Sequence, residues 1–162
     1  MANRKFWLMK SEPHVYGLDD LKADGSTMWD GVRNYQARNF MRDDMKLGDL
    51  VLYYHSNAKP PGVVGLARVS REGYPDPTQF DENNKYHDPK STEDNPRWIL
   101  VDLEYVAHFD TLLSLDQLKQ EEDLDGMLVI RKGQRLSVQP VEPHHFHKVC
   151  EMAGFDVASL ES

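Results

Sequence analysis

Cysteine is almost absent from this chain. The single residue, Cys150, excludes an intramolecular disulfide and every multi-cysteine zinc pattern. Long apolar runs are missing too: Leu50 to Tyr54 falls far short of the roughly 20 residues that span a bilayer. Near the N-terminus, Phe6 to Met9 is too short for the apolar core of a secretory signal. The expected location is therefore the cytoplasm, or the nucleus if the source is eukaryotic. An excess of positive charge is also lacking. A formal charge of -8 argues against a protein that coats phosphates generally, since such affinity grows with the number of phosphates neutralised, but it leaves room for a local basic patch. No Gly-x-Ser-x-Gly elbow, phosphate-binding loop or dinucleotide fingerprint occurs, so no cofactor is expected. The acidic clusters Asp19-Asp20, Asp43-Asp44 and Glu121 to Asp123 read as solvated surface. With no catalytic constellation in view, the chain is not expected to be an enzyme.

What is present suits one α+β domain over residues 1–162, with a core of about 5–155; 162 residues, 40% hydrophobic, are enough to bury about two thirds of the unfolded surface. Phe6 to Ser11 reads as a strand with Phe6 and Leu8 on one face and Trp7, Met9 and Ser11 on the other. Gly17 to Asp24 reads as a short helix closed by Gly25. Behind the N-cap candidate Asn34, Ala37, Phe40, Met41 and Met45 recur at helical spacing over Tyr35 to Met45. Leu50 to Tyr54 and Val63 to Arg71 read as paired central strands.

Four prolines break up Glu72 to Arg97. Its aromatics Tyr74, Phe80 and Tyr86 argue for an ordered excursion wrapping the body rather than a flexible linker. Trp98 to Val106 alternates as a strand, Ser114 and Gln117 form a capping-box pattern, and a last helix starts near Pro143. Irregular alternation of elements excludes a doubly wound sheet and points to a small, curved, barrel-like sheet with helices plugging its sides.

Cys150 lies on the apolar stripe of the last helix and reads as core rather than nucleophile. Among His144, His145 and His147, only the first and last share a helical face, and no carboxylate or cysteine framework accompanies them; no metal site is expected. Gly31 to Arg42 contains Arg33, Arg38 and Arg42 without an acid. Arg38 and Arg42, four apart, would share a helix face, and with Arg131, Lys132 and Arg135 they form the candidate phosphate-contacting set, unless nearby acids simply offset them. The tryptophans Trp7, Trp29 and Trp98 lie near Ser11, Asn34, Ser56 and Asn57. An aromatic wall rimmed by hydroxyls and amides is suited to a flipped or single-stranded base.

Lys-Ser-Glu-Pro at Lys10 to Pro13, Trp29-Asp-Gly-Val-Arg-Asn-Tyr-Gln-Ala-Arg-Asn39, Tyr54-His-Ser-Asn57, Tyr74-Pro-Asp, Asp88-Pro-Lys90, Pro96-Arg-Trp98 and Arg135-Leu-Ser-Val-Gln-Pro-Val141 occur in order. On these motifs, from about Phe6 to Val141, the chain resembles the EVE domain family, thymocyte nuclear protein-like members of the PUA-like superfamily related to YTH domains. The resemblance implies a PUA-like mixed β-barrel with short helices and a base pocket formed by Lys10, Ser11, Glu12 and Pro13. Trp29, Arg33 and Asn34 would wall it, with Ser56 and Asn57 opposite; Trp98 would join them or pack the core. The implied partner is DNA or RNA with a modified base, and the arginine-rich segment adds the expectation that Arg33, Arg38 and Arg42 hold its flanking phosphates. Two other readings stand beside this one: a protein-interaction adaptor using the 72–97 loop, and a small nuclease or hydrolase using His55 with Asp88 or Lys90.

Overall fold

Alternation along β1 (Phe6–Ser11) sends Trp7 and Met9 into one apolar cluster and Leu8, with Phe6 packed beside it, into another. The computed structural model describes residues 4–160. In it β1 is central, and its side chains are buried on both faces, as a strand with cover on both sides requires. A short helical turn, α1 (Pro13–Tyr16), and α2 (Leu18–Asp24) follow. The Asp20 carboxylate accepts the Gly17 N–H at 2.8 Å, and Gly25, at φ 83°, ends α2. After the three-residue β2 (Ser26–Met28) comes α3 (Tyr35–Asn39), capped by the Asn34 side chain, which accepts from the Ala37 N–H.

The expected helix to Met45 does not continue in α form. Phe40–Asp44 is a π turn, closed by Met45 N–H donating to the Phe40 carbonyl. The wider turn still buries Met41 and Met45.

Strands β3 (Leu50–His55), β4 (Gly62–Pro75) and β5 (Ile99–Ser114) form an antiparallel meander with several register shifts. The capping box Ser114/Gln117 opens α4 (Leu115–Lys119). The four-residue β6 (Val138–Val141) pairs with β1, and α5 (Pro143–Met152) buries Phe146, Val149 and Cys150.

The result is one six-stranded mixed sheet of order β2-β5-β4-β3-β1-β6, in which only the β1–β3 pairing is parallel. The α+β class holds, but the expected barrel does not close: among the described residues, β2 and β6 lie at opposite edges and are not paired. These two edge strands are too short to continue the ladder around. Residues of α2, α3 and the π turn join the cluster on one face; those of α4 and α5 join the cluster on the other. Among the described residues, no helix is long and apolar enough to cross a membrane.

Candidate nucleic-acid interface

Parallel register aligns Ser11 with His55 at the ends of β1 and β3. The loops leaving both strands therefore emerge together, and the Ser56 N–H donates to the Ser11 carbonyl at 3.0 Å. This brings Lys10–Pro13 beside Ser56–Asn57, although more than 40 residues separate the pair Glu12 and Asn57 in sequence; the Asn57 amide donates to Glu12 Oε1 at 3.1 Å. Asn57 holds a left-handed backbone, φ 51°, which asparagine tolerates better than most residues. The Lys10 N–H donates to the Ser137 carbonyl, adding a third segment to this corner.

A cleft of about 510 Å³ opens here, lined by Lys10, Ser11, Trp29, Asp30, Arg33 and Asn34 among others. This lies within the usual range of about 300–1,000 Å³ for a small-ligand site. Trp29 is 8% exposed, so most of its ring is core and one part faces the cleft. Tyr53 meets it edge-on at 5.5 Å, and the Tyr53 hydroxyl donates to the Tyr16 carbonyl. Tyr16 and Val15 of α1 complete the adjoining wall. A second cleft, about 560 Å³, continues from the first and shares Lys10, Ser11, Val15, Lys85, Tyr86 and Ser137 with it; Glu12, Ser56 and Arg135 line it further on.

The 72–97 segment supplies part of this wall. Tyr86 lies over Gly31 so closely that a Cβ at Gly31 would sit 2.5 Å from its ring, and Gly31 also needs φ 81°. Arg33 fastens the segment. Its Nε donates to the Tyr86 carbonyl, Nη1 to the Val32 carbonyl and Asp76, and Nη2 to Thr78 Oγ1 and the Tyr86 carbonyl. All five guanidinium N–H groups are thus used, and the ring faces of Tyr86 and Trp98 lie 5.5 and 5.3 Å from the cation. Arg33 borders the cleft but has no donor left for a phosphate unless this latch breaks.

The structure separates several residues that sequence reasoning had grouped. Trp98 does not line the cleft: its ring stacks on Tyr35 at 4.8 Å, and its indole N–H donates to Asp88 at 2.7 Å, so its polar edge and one face are satisfied elsewhere. Neither Pro13 nor Asn57 lines either cleft, though each shapes the loop that does. Of the phosphate set, Arg135 borders the second cleft. Arg38 donates to the Asn39 side chain and the Arg97 carbonyl, and Arg42 pairs with Asp43. The π turn between Arg38 and Arg42 removes the simple four-residue spacing. Arg131 lines a separate cleft with His145 and Glu142, and Lys132 lines none of these.

Sequence reasoning missed Asp30, Lys85, Tyr86 and Ser137 as lining residues. Asp30 was visible inside the Trp-Asp-Gly motif, and Tyr86 was signalled by the excess of aromatics in its segment. Burial pushes the Asp30 carboxyl above the ordinary carboxylate range, with the nearby Asp76 charge adding to it. Burial likewise lowers Lys10. Tyr16 is raised to about 12, first by burial and then by its hydrogen bond to Asp24, so it stays neutral at physiological pH. Among the described residues, no group of three or more His, Cys, Asp or Glu could hold a metal ion.

The cleft is lined by apolar and aromatic side chains together with hydroxyl, amide and carboxyl groups. Comparison with known proteins shows the family. The EVE domain profile matches residues 5–152. Human thymocyte nuclear protein 1 is 44% identical over 164 residues, covering 90% of this chain and 72% of that protein. A solved protein from Leishmania major superposes with TM-score 0.89 at 45% identity, covering 94% of this chain and 96% of that one. A crystal structure of human THYN1 protein in complex with 5-methylcytosine-containing DNA superposes with TM-score 0.86 at 43% identity, covering 94% and 99%.

Proposed function

This chain belongs to the EVE domain family, and from that premise we propose that it is a nucleic-acid-binding module whose Trp29 cleft takes one modified base. The observation that carries the reading is the one cleft-facing tryptophan, Trp29, which lines the cleft together with Ser11 and Asn34. Support comes from the human relative, whose structure holds 5-methylcytosine-containing DNA. The base stacks against Trp29, while Ser11 and the Asn34 amide meet its edge; Ser56 and the Glu12–Asn57 pair shape the far rim. Asp30 adds an acceptor, the group that suits the exocyclic amine of a cytosine-type base.

Stacking contributes roughly 1–3 kcal/mol per base, and extrusion from a duplex costs a few kcal/mol. These terms nearly cancel, so the module favours single strands or weakened duplex and draws much of its affinity from phosphates. One buried methyl contributes only about 0.8 kcal/mol, a factor of about four. Larger selectivity requires the unmodified base to leave an edge group unsatisfied.

The competing enzyme reading loses its base. His55 Nε2 accepts the Leu18 N–H at 3.1 Å, Asp88 accepts the Trp98 indole, and neither residue lines the cleft. An adaptor role for the 72–97 segment predicts a protein partner retained after nuclease treatment.

The deciding experiment is fluorescence anisotropy with short DNA and RNA probes, each with one modified or unmodified base, for wild type and Trp29→Phe. The phenyl ring keeps the core filled and shortens the stacking surface. Tenfold or better selectivity for one modification, reduced in the variant, supports the pocket. Equal, weak binding to every probe, unchanged by the substitution, refutes it.

A further inference from the structure

Cations differ sharply in how free they are. Arg33, Arg42, Arg68 and Lys148 each hold a carboxylate, and Arg38 is held by a side-chain amide and a carbonyl. Among the described residues, Lys10, Lys85 and Arg135 form no ion pair, and all three line the second cleft. Lys10 and Lys85 also line the first. Lys85 lies at 5.0 Å over Tyr86, which lines both clefts, so its ammonium sits at their junction, whereas Lys10 reaches at 5.6 Å over the ring of Tyr54, a residue outside both linings.

The acids are distributed the other way. Asp30 lines only the first cleft, with the buried Asp76 nearby and paired to Arg33. In the second cleft the one lining acid is Glu12, and it is engaged by the Asn57 amide and by His14 at 3.4 Å. The continuous groove is therefore polarised. Asp30 sits at its Trp29 end, and its Arg135 end adds a cation unpaired among the described residues, with Glu12 as the one lining acid.

Building on the base-pocket reading, we propose that the second cleft is a subsite for the sugar-phosphate flanking the bound base, with Lys85 and Arg135 as its phosphate ligands and Lys10 between the subsites. The strand thus runs along the β1–β3 corner and away from Arg38 and Arg42. This groups the site from residues scattered across the chain and replaces the helix arginines as the source of phosphate affinity. Two such contacts on a single strand give a slope of log affinity against log salt of about 1.4 in magnitude, or about a sevenfold loss between 50 and 200 mM salt.

The test measures that slope by anisotropy with a fluorescent single-stranded hexamer carrying one central 5-methylcytosine. Lys85→Gln and Arg135→Gln, both at exposed positions, each lower the slope by about 0.7, and Arg42→Gln leaves it unchanged. Equal slopes for wild type, Lys85→Gln and Arg135→Gln, with affinity still reduced by Trp29→Phe, overturn the phosphate subsite and leave the base pocket standing. A slope that falls only in Arg42→Gln also overturns it. No response to Trp29→Phe in any probe defeats the underlying pocket instead.

Discussion

A histidine that accepts a backbone N–H has to stay neutral, and His55 does so at the junction between β3 and the start of α2. Burial lowers its pKa; Asp19 and Asp20 oppose that shift, while His108 reinforces it. Above about pH 6.5, the ordinary value, both the folded and unfolded chains carry a neutral imidazole and this contribution is fully present. As pH falls, the unfolded chain takes up the proton first, so stability declines until pH passes the lower folded value. Thermal melts from pH 7.5 to 5 are expected to show a decline that His55→Gln flattens, since the amide oxygen can accept without titrating. An equal decline in the variant would assign the effect to other groups. Cys150 makes a contrasting case. Burial raises its thiol to about 12, so a disulfide reagent at pH 8 should leave it unmodified until denaturant is added. Its core position was legible from helical spacing alone, because an apolar stripe needs only local periodicity. The role of Arg33 was not: its partners Asp76, Thr78 and Tyr86 lie more than 40 residues away, and no local pattern reports such a pairing.

Among the elements, the 72–97 segment depends on the latch more than on regular structure. Beyond the end of β4 at Pro75 it has one short 3₁₀ turn, Pro77–Phe80, and an isolated Thr92–Asn95 bridge. Asp76 is almost fully buried and accepts from Gly31, Arg33 and Thr78. Arg33→Met, which fills similar space without the charge, leaves that carboxylate uncompensated and should cost about 3–5 kcal/mol. Hydrogen exchange should rise mainly over residues 76–90, and an unchanged exchange pattern there would contradict the latch. The excess of aromatics correctly signalled an ordered segment, while its attachment point stayed hidden. Long alternating strands were legible for the same reason as the helical stripe. β2 and β6, three and four residues long, offered too few alternations, and Pro140 weakened the β6 pattern further. The π turn also escaped, because Ala37, Met41 and Met45 satisfy α and π spacing almost equally well.

Across the whole molecule, β1 couples the two faces of the sheet. Leu8 belongs to the cluster under α5 and its neighbours Trp7 and Met9 to the cluster under α2 and α3. Leu8→Ala should therefore cost about 2–5 kcal/mol and shift far-ultraviolet circular dichroism and near-ultraviolet signals together, as one cooperative transition. Transitions that separate would mean the faces unfold independently. The overall negative charge disfavours indiscriminate contact with polyanions; under the proposed function the groove would be the attractive approach. The barrel expectation failed at this same scale, because closure depends on strand partners at the two edges and not on any one segment. Finally, the three indoles occupy unequal positions. Trp7 donates to buried Asp49 and Trp98 to Asp88, whereas Trp29 alone faces the cleft. Two emitters supply a steady background and the third looks onto the cleft, so under the proposed function the protein's intrinsic emission should register occupancy without an attached dye.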